Sequence, residues 1–288
     1  MGQFYREYTD FELEPLNDDI VTIDNVLTSS AHSLGLNAKR LLMLAYAKQD
    51  PRFEKPKGMQ LTARITAREW FEMYQGGRKP YSELKEATED LQSSTVTVYP
   101  CTDYYERWNF TTKARYTHAE DMDNAYVDIT FTAEVSSLLA DIFDNFTTYD
   151  LKEIAELDSV YAIRMYEQLA RFRDKKTMGG WFKIEVSKLK VMFGASDKYK
   201  RMNDFVKRGI VEALKQIDDR TDISIDYVLE KKGRSYHMLK VSFNPKSQHS
   251  LDLQPQSPKP KLKSKPKDDK PLTAKQKAAM LRDPNHDF

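Results

Sequence analysis

Residues 198–243 set a basic, helix-periodic stretch directly before two alternating stretches joined by a cationic turn, and few folds accept that order. The helical stretch is KYKRMNDFVKRGIVEALKQI. At ~100° per residue, Met202, Val206, Ile210, Ala213 and Ile217 fall on one face. Lys200, Arg201, Lys207, Arg208 and Lys215 fall on or near the opposite face. DISIDYVLE then alternates as a strand, Lys231-Lys232-Gly233-Arg234 makes a turn, and SYHMLKVSF supplies a second strand. Such a unit docks its apolar side on a core and leaves its cations and its turn facing a polyanion. A helix followed at once by a hairpin with a basic tip is the winged-helix arrangement, and duplex DNA is the polyanion it suits.

The bulk charge does not carry this reading. The chain has 288 residues, with 45 basic and 44 acidic side chains and a formal net charge of +1. What matters is where the charge sits. The length allows two domains of the usual ~100–150 residues. Its 16 Tyr, 14 Phe and 3 Trp supply cores despite a mean hydropathy of −0.69. Cys101 is the one cysteine, so no intrachain disulfide forms and a reducing compartment is expected. The opening MGQFYREYTDFELEP lacks the apolar stretch of a signal peptide, and no run of ~18 apolar residues follows, so a soluble intracellular protein is expected.

Along the chain, residues 1–24 read as an acidic N-terminal arm or short edge element (Asp10, Glu12, Glu14, Asp18, Asp19). NAKRLLMLAYAK reads as a helix with Leu41, Leu42, Ala45 and Tyr46 inward, and ITAREWFEMY as a second with Thr66 as N-cap. The Gly76-Gly77 turn leads to a third, PYSELKEATEDLQSS, with Pro80 near its start. TVTVYP and AYVDITFT read as strands on either side of a polar stretch. YDLKEIAELDSVYAIRMYEQLARFRD reads as one long helical region, broken at Gly179-Gly180, and FKIEVSKLKVMFG as a strand or turn and a short helix. Helix, short helix, long helix and hairpin thus occur twice, at about 37–131 and 150–243, as in an old duplication. The expected class is α+β, two tandem winged-helix domains. Domain one covers 25–145 and domain two 146–246; the lysine-proline segment 247–288 is expected to be a disordered basic tail, with LTAKQKAAMLRD a short helix at most.

Four passages carry a resemblance: NVLTSSAHSLGLNAKRLL at 25–42, YSELKEATEDL at 81–91, FTTYDLKEIAELDSVYAIRMYEQL at 146–169, and GIVEALKQIDDRTDISIDYVLEKKGRSYHMLKVSF at 209–243. In order and spacing the chain resembles, over residues 21–245, the Rep_3-type plasmid replication initiators. These are theta-replication proteins that bind iterons, short direct repeats at the origin. The Gly35-Leu36-Asn37 passage departs from the family's usual pattern there, and the resemblance covers neither terminus. It implies iteron binding by both winged helices, with the second reading most of the bases. It also implies opening of an adjacent A·T-rich segment, recruitment of host initiator and helicase, and dimerisation through the first domain with repression of its own gene at an inverted repeat. The setting implied is the cytoplasm of a bacterium that carries the plasmid. A winged-helix transcriptional regulator without replication activity is the alternative.

The expected DNA contacts in the second domain are Lys198, Lys200, Arg201, Asn203, Lys207 and Arg208 on the helix, and Lys231, Lys232 and Arg234 at the wing tip. Arg and Asn pair bidentately with guanine and adenine edges, whereas Lys anchors phosphate. The bland reading is a solvated helix face and an ordinary hairpin loop in which Gly233 supplies positive φ. Asp204, among these cations, either orients an arginine or accepts from a cytosine amine. In the first domain the candidates are Arg78, Lys79, Tyr81, Ser82 and Lys85 at the start of the third helix, where free amides favour phosphate. Arg107, Lys113 and Arg115 are assigned to a first wing. Arg164 reads as structural, needing Glu153, Glu156 or Glu167 as partner.

Catalysis is not expected. The five histidines are scattered without a His-x-His pair, no phosphate-binding Gly-x4-Gly-Lys-Ser/Thr loop occurs, and one cysteine cannot build a zinc cluster. No cofactor and no metal site are expected, and no membrane partner.

Overall fold

The computed structural model describes residues 19–75, 79–99, 104–140, 142 and 145–246. The expectations for segment 1–18, the Gly76-Gly77 turn with Arg78, and everything from Ser247 onward lie outside the described residues.

The described chain runs twice through one series. The first pass is β1 (Ile20–Asp24), α1 (Asn25–Ser29), α2 (Leu36–Ala47), β2 (Thr62–Thr66), α3 (Ala67–Tyr74), α4 (Pro80–Ser93), β3 (Thr95–Val98), β4 (Glu106–Asn109), β5 (Thr111–Thr117), β6 (Tyr126–Phe131) and α5 (Ala133–Ser136). The second is β7 (Phe146–Asp150), α6 (Leu151–Ala155), α7 (Val160–Arg171), β8 (Gly180–Glu185), α8 (Val186–Met192), α9 (Met202–Phe205), a π-helical turn (Val206–Val211), α10 (Glu212–Arg220), β9 (Ile223–Lys232) and β10 (Ser235–Pro245). Two antiparallel sheets have matching strand orders, β2-β6-β5 and β8-β10-β9. Each is preceded by a central helix and closes on a hairpin. This is the expected α+β pair of winged-helix domains.

The repeat extends further than periodicity reveals. β1 and β7 pair antiparallel, with Thr22 opposite Thr148 and their hydroxyls 3.1 Å apart. Each strand ends in an aspartate that caps a five-residue helix: Asp24 accepts from the amide of Val26 at 2.7 Å, Asp150 from that of Lys152 at 2.8 Å. Residues 20–24 are therefore the short edge element of the two readings, one strand of a two-stranded sheet. The stretch 149–174 is likewise not one helix. Tyr149 and Asp150 finish β7, α6 ends at Ala155, and the Ser159 hydroxyl caps α7 afresh by accepting from the amide of Tyr161 at 3.2 Å. The polar stretch after β3 forms β4 and β5, whose side chains are mostly exposed and so give little apolar alternation.

Thr66 caps α3 in a reciprocal capping box with Glu69, as its position predicts. Leu84, Ala87, Thr88 and Leu91 form the buried stripe of α4 at helical spacing. α2 and α7 are buried nearly all round, which makes them the central helices of a core shared by both halves. Polar groups inside that core are paired across the halves. Lys39 Nζ on α2 donates to Glu167 Oε1 on α7 at 2.6 Å, and the Tyr149 hydroxyl donates to the same oxygen at 3.0 Å. Arg164 is 1% exposed and takes Glu167 as its carboxylate, at 3.8 Å. It also donates to the carbonyls of Ser30 (2.5 Å) and Met192 (3.0 Å) and to His32 Nε2. Because arginine only donates, that His32 nitrogen is an acceptor and the ring is neutral. Burial first, then the nearby Arg164 and Lys39 charges, hold His32 well below the usual histidine pKa.

Candidate nucleic-acid interface

The helix ahead of the second hairpin begins later than its basic residues suggest. Lys198 and Lys200 precede it, and Arg201 is its N-cap. The buried residues Phe205, Gly209, Ala213 and Ile217 recur every fourth position. In a plain α-helix each four-residue step turns ~40° too far, so such a stripe winds off the core. The π turn at Val206–Val211 takes up extra residue length and keeps the stripe inward. It is packed closely enough that a Cβ on Gly209 would lie 2.8 Å from the Phe205 ring.

The face turned to solvent carries Asn203, Asp204, Lys207 and Arg208 in its first half and Glu212, Lys215, Asp219 and Arg220 in its second, where Arg220 is held by Asp158. With Arg201 at the N-cap, the cations without a carboxylate partner therefore concentrate at the N-terminal end, the end from which recognition helices reach base edges. β9 and β10 close on Gly233 (φ +64) and Arg234, so Lys231, Lys232 and Arg234 project at the tip. Lys231 lies 4.8 Å from the Tyr236 ring centroid, which steadies its stem. Among the described residues, no carboxylate is within ion-pair distance of Lys198, Lys200, Arg201, Lys207, Arg208, Lys231, Lys232 or Arg234. All eight are exposed. Their charge is available to a phosphate without breaking an internal pair.

The first domain differs in sign. The loop that joins β5 to β6 carries Glu120, Asp121 and Asp123, with Asp123 held by Arg68. Lys113 and Arg115 lie in β5, not at that tip, and Arg107 lies in β4. In register, Lys113 faces Thr130 and Arg115 faces Asp128. Asp128 is itself held by Arg64 through bonds of 2.7 and 3.0 Å. Lys79 is the N-cap residue of α4 and is exposed with Ser82 and Lys85. Tyr81 is half-buried, its ring edge-on to His118 at 5.3 Å. Lys79, Tyr81 and Ser82 share an opening of about 300 Å³ with Glu120 and Asp121, so a phosphate there meets carboxylates as well as amides. The acidic wing tip was readable in the residues themselves, in a stretch that polarity alone marks as a loop.

A cationic recognition helix and wing in one domain, beside a second winged helix of opposite tip charge, define a two-domain winged-helix DNA-binding protein. The chain matches the family model described as "Initiator Replication protein, WH1" over residues 20–170 and that described as "Initiator Rep protein, WH2" over 185–243. It belongs to this replication initiator family, the Rep_3 type. The first match and the β1–β7 pairing both cross the 145/146 division drawn from the sequence. A replication initiation protein of Escherichia coli is 24% identical over 225 residues, 76% of this chain and 67% of that one. An uncharacterized 27.6 kDa protein of Escherichia coli is 25% identical over 222 residues, 73% of this chain and 89% of that one. The fold is similar to that of the Pi initiator protein, solved in complex with iteron DNA. Its TM-score is 0.63 at 21% identity, covering 79% of this chain and 98% of that one. Among the described residues, no helix is long and apolar enough to cross a membrane, and no group of three or more His, Cys, Asp or Glu is placed to hold a metal ion.

Proposed function

We propose that this chain initiates plasmid replication by binding tandem iterons at the origin, with its second winged helix as the principal base reader. The observation that carries this reading is the asymmetry between the two domains. One presents an unpaired cationic helix start and wing tip; the other presents an acidic tip and cations spread over a helix start and a sheet face. In this reading Arg201, Asn203 and Arg208 address bases, while Lys198, Lys200, Lys207, Lys231, Lys232 and Arg234 hold phosphate. Lys79, Tyr81, Ser82, Lys85, Lys113 and Arg115 add weaker backbone contacts from the first domain. Binding favours opening of a neighbouring A·T-rich segment and recruitment of the host initiator and helicase. A dimer formed through the first domain represses the chain's own gene at an inverted repeat. The protein acts without catalysis or cofactor, in the cytoplasm of a plasmid-bearing bacterium.

Footprinting of the purified chain on DNA flanking its gene tests this. An ordered array of protected direct repeats beside an A·T-rich tract is expected. Protection of one isolated palindrome alone would make the protein a transcriptional regulator. A site-specific nick in supercoiled origin plasmid with Mg²⁺ or Mn²⁺ would make it an enzyme.

A further inference from the structure

The second domain's sheet has an outer face that no described element covers. Side chains alternate along a strand, so Phe182, Leu239, Val241 and Phe243 enter the core while Trp181, Lys183, Lys240 and Val228 point away from it. The register sets Trp181 beside Ser242 and Asp226, and Lys183 beside Lys240 and Val228. Trp181 is 64% exposed, the most of any large hydrophobic side chain among the described residues, and Val228 is 58% exposed. Lys240 Nζ stands 5.9 Å from the indole centroid. A tryptophan left this far in water gives up burial that a partner restores, and tryptophan is among the residues that dominate binding energy at interfaces.

The loop that leads to Trp181 is held in place. Asp174 accepts from the amides of Lys176 (3.0 Å) and Thr177 (2.8 Å) and from the Thr177 hydroxyl (3.0 Å). A Cβ on Gly180 would sit 2.2 Å from the Phe172 carbonyl oxygen, and one on Gly179 2.6 Å from Asn244 Oδ1. Met178 is 45% exposed at φ +57, a left-handed conformation that costs a non-glycine residue energy. This loop walls an open groove of about 640 Å³, lined by Trp181, Lys240, Ser242, Asn244, Thr177 and Asp174 among others.

Charge selects the occupant. Lys183 is already paired with Glu230 at 2.8 Å, Asp226 stands in the Trp181 row, and Asp174 lines the groove. Those carboxylates interrupt any track for a phosphate backbone. Among the described residues Lys240 has no carboxylate partner. The face thus offers one aromatic anchor, one available cation, and the hydroxyl and amide groups of Ser242, Thr177 and Asn244. We propose that it docks a short segment of another protein, one that carries an apolar side chain for Trp181 and a carboxylate for Lys240. The recognition helix packs on the opposite side of this sheet, so the inference does not rest on the iteron reading.

The test is selection of displayed random peptides of about twelve residues on the full chain. The enriched peptides are expected to place Asp or Glu near an aromatic or aliphatic residue. Their binding should fall about tenfold or more in Trp181→Ala. In Lys240→Glu, which leaves the indole intact, the selected peptides should exchange Asp and Glu for Lys and Arg. Recovery only of peptides that bind wild type and both variants alike overturns the proposal, as does failure to recover any peptide dependent on Trp181. Binding of oligothymidylate of about 20 nucleotides that vanishes in Trp181→Ala also overturns it, making the face a single-strand platform.

Discussion

Two side chains show how much a residue's role depends on what lies around it. Arg208 is exposed on the recognition helix with no carboxylate in range, whereas Arg164 is enclosed by carbonyls, His32 and Glu167. If Arg208 reads a base, Arg208→Ala should cost ~1–3 kcal/mol on the cognate repeat and relax its sequence preference, as measured by titration against matched and altered repeats. An equal loss on random DNA would make it a phosphate anchor. His32 allows a pH prediction. Its folded pKa is depressed by burial and by Arg164 and Lys39, so the unfolded chain takes up the proton first as pH falls. Its contribution to stability is full above the unfolded value of about 6.5 and is lost below it. Between about pH 7.5 and pH 5.5, urea unfolding should therefore lose roughly 1 kcal/mol more in wild type than in His32→Gln, which retains an acceptor but cannot titrate. Arg164 was legible as structural because a charged residue sat inside an apolar helical pattern. Of the three glutamates offered, Glu167 alone stands at the i+3 spacing of a helical neighbour, and it is the one Arg164 takes.

At the level of single elements, Gly209 separates two opposing effects. Alanine gains ~1 kcal/mol of helix propensity over glycine. A Cβ 2.8 Å from the Phe205 ring forces repacking that costs ~1–3 kcal/mol. Sterics should win, so Gly209→Ala is expected to lower stability by about 1 kcal/mol in chemical denaturation, with partial recovery in the Phe205→Leu background. The wing makes a separate prediction. Replacing Lys231, Lys232 and Arg234 together by alanine should reduce the slope of log K against log salt by ~2–3, if each neutralises one phosphate. An unchanged slope would remove the tip from the interface. Strands that alternate clearly, such as β9 and β10, were legible from the residues, as were α3 with its capping box and α4 with Pro80 in its first turn. β1, β4, β5 and β7 were not. Two of them owe their existence to partners far away in sequence, and β4 and β5 present mostly exposed side chains. The repeated Thr-x-Asp at the ends of β1 and β7 was the available sign.

Across the whole molecule, the halves share one core joined through a buried ion cluster. Among the described residues, Glu167 is the one carboxylate within ion-pair distance of Lys39 and Arg164. Glu167→Gln should cost ~3–5 kcal/mol, because two cations then remain buried without a counter-charge. Adding Lys39→Met should restore ~1–3 kcal/mol of that loss, a coupling readable from a double-mutant cycle of unfolding free energies. By themselves the residues determined the class of fold, the twofold recurrence of its elements and the basic helix and hairpin, because each is written in local periodicity and turn chemistry. Tertiary structure alone decided that Lys198, Lys200 and Arg201 precede the helix, that a π turn keeps its stripe inward, and that Trp181 stands uncovered. Those outcomes depend on which distant segments pack together, and that is settled by burial and pairing across the whole chain rather than within any one stretch.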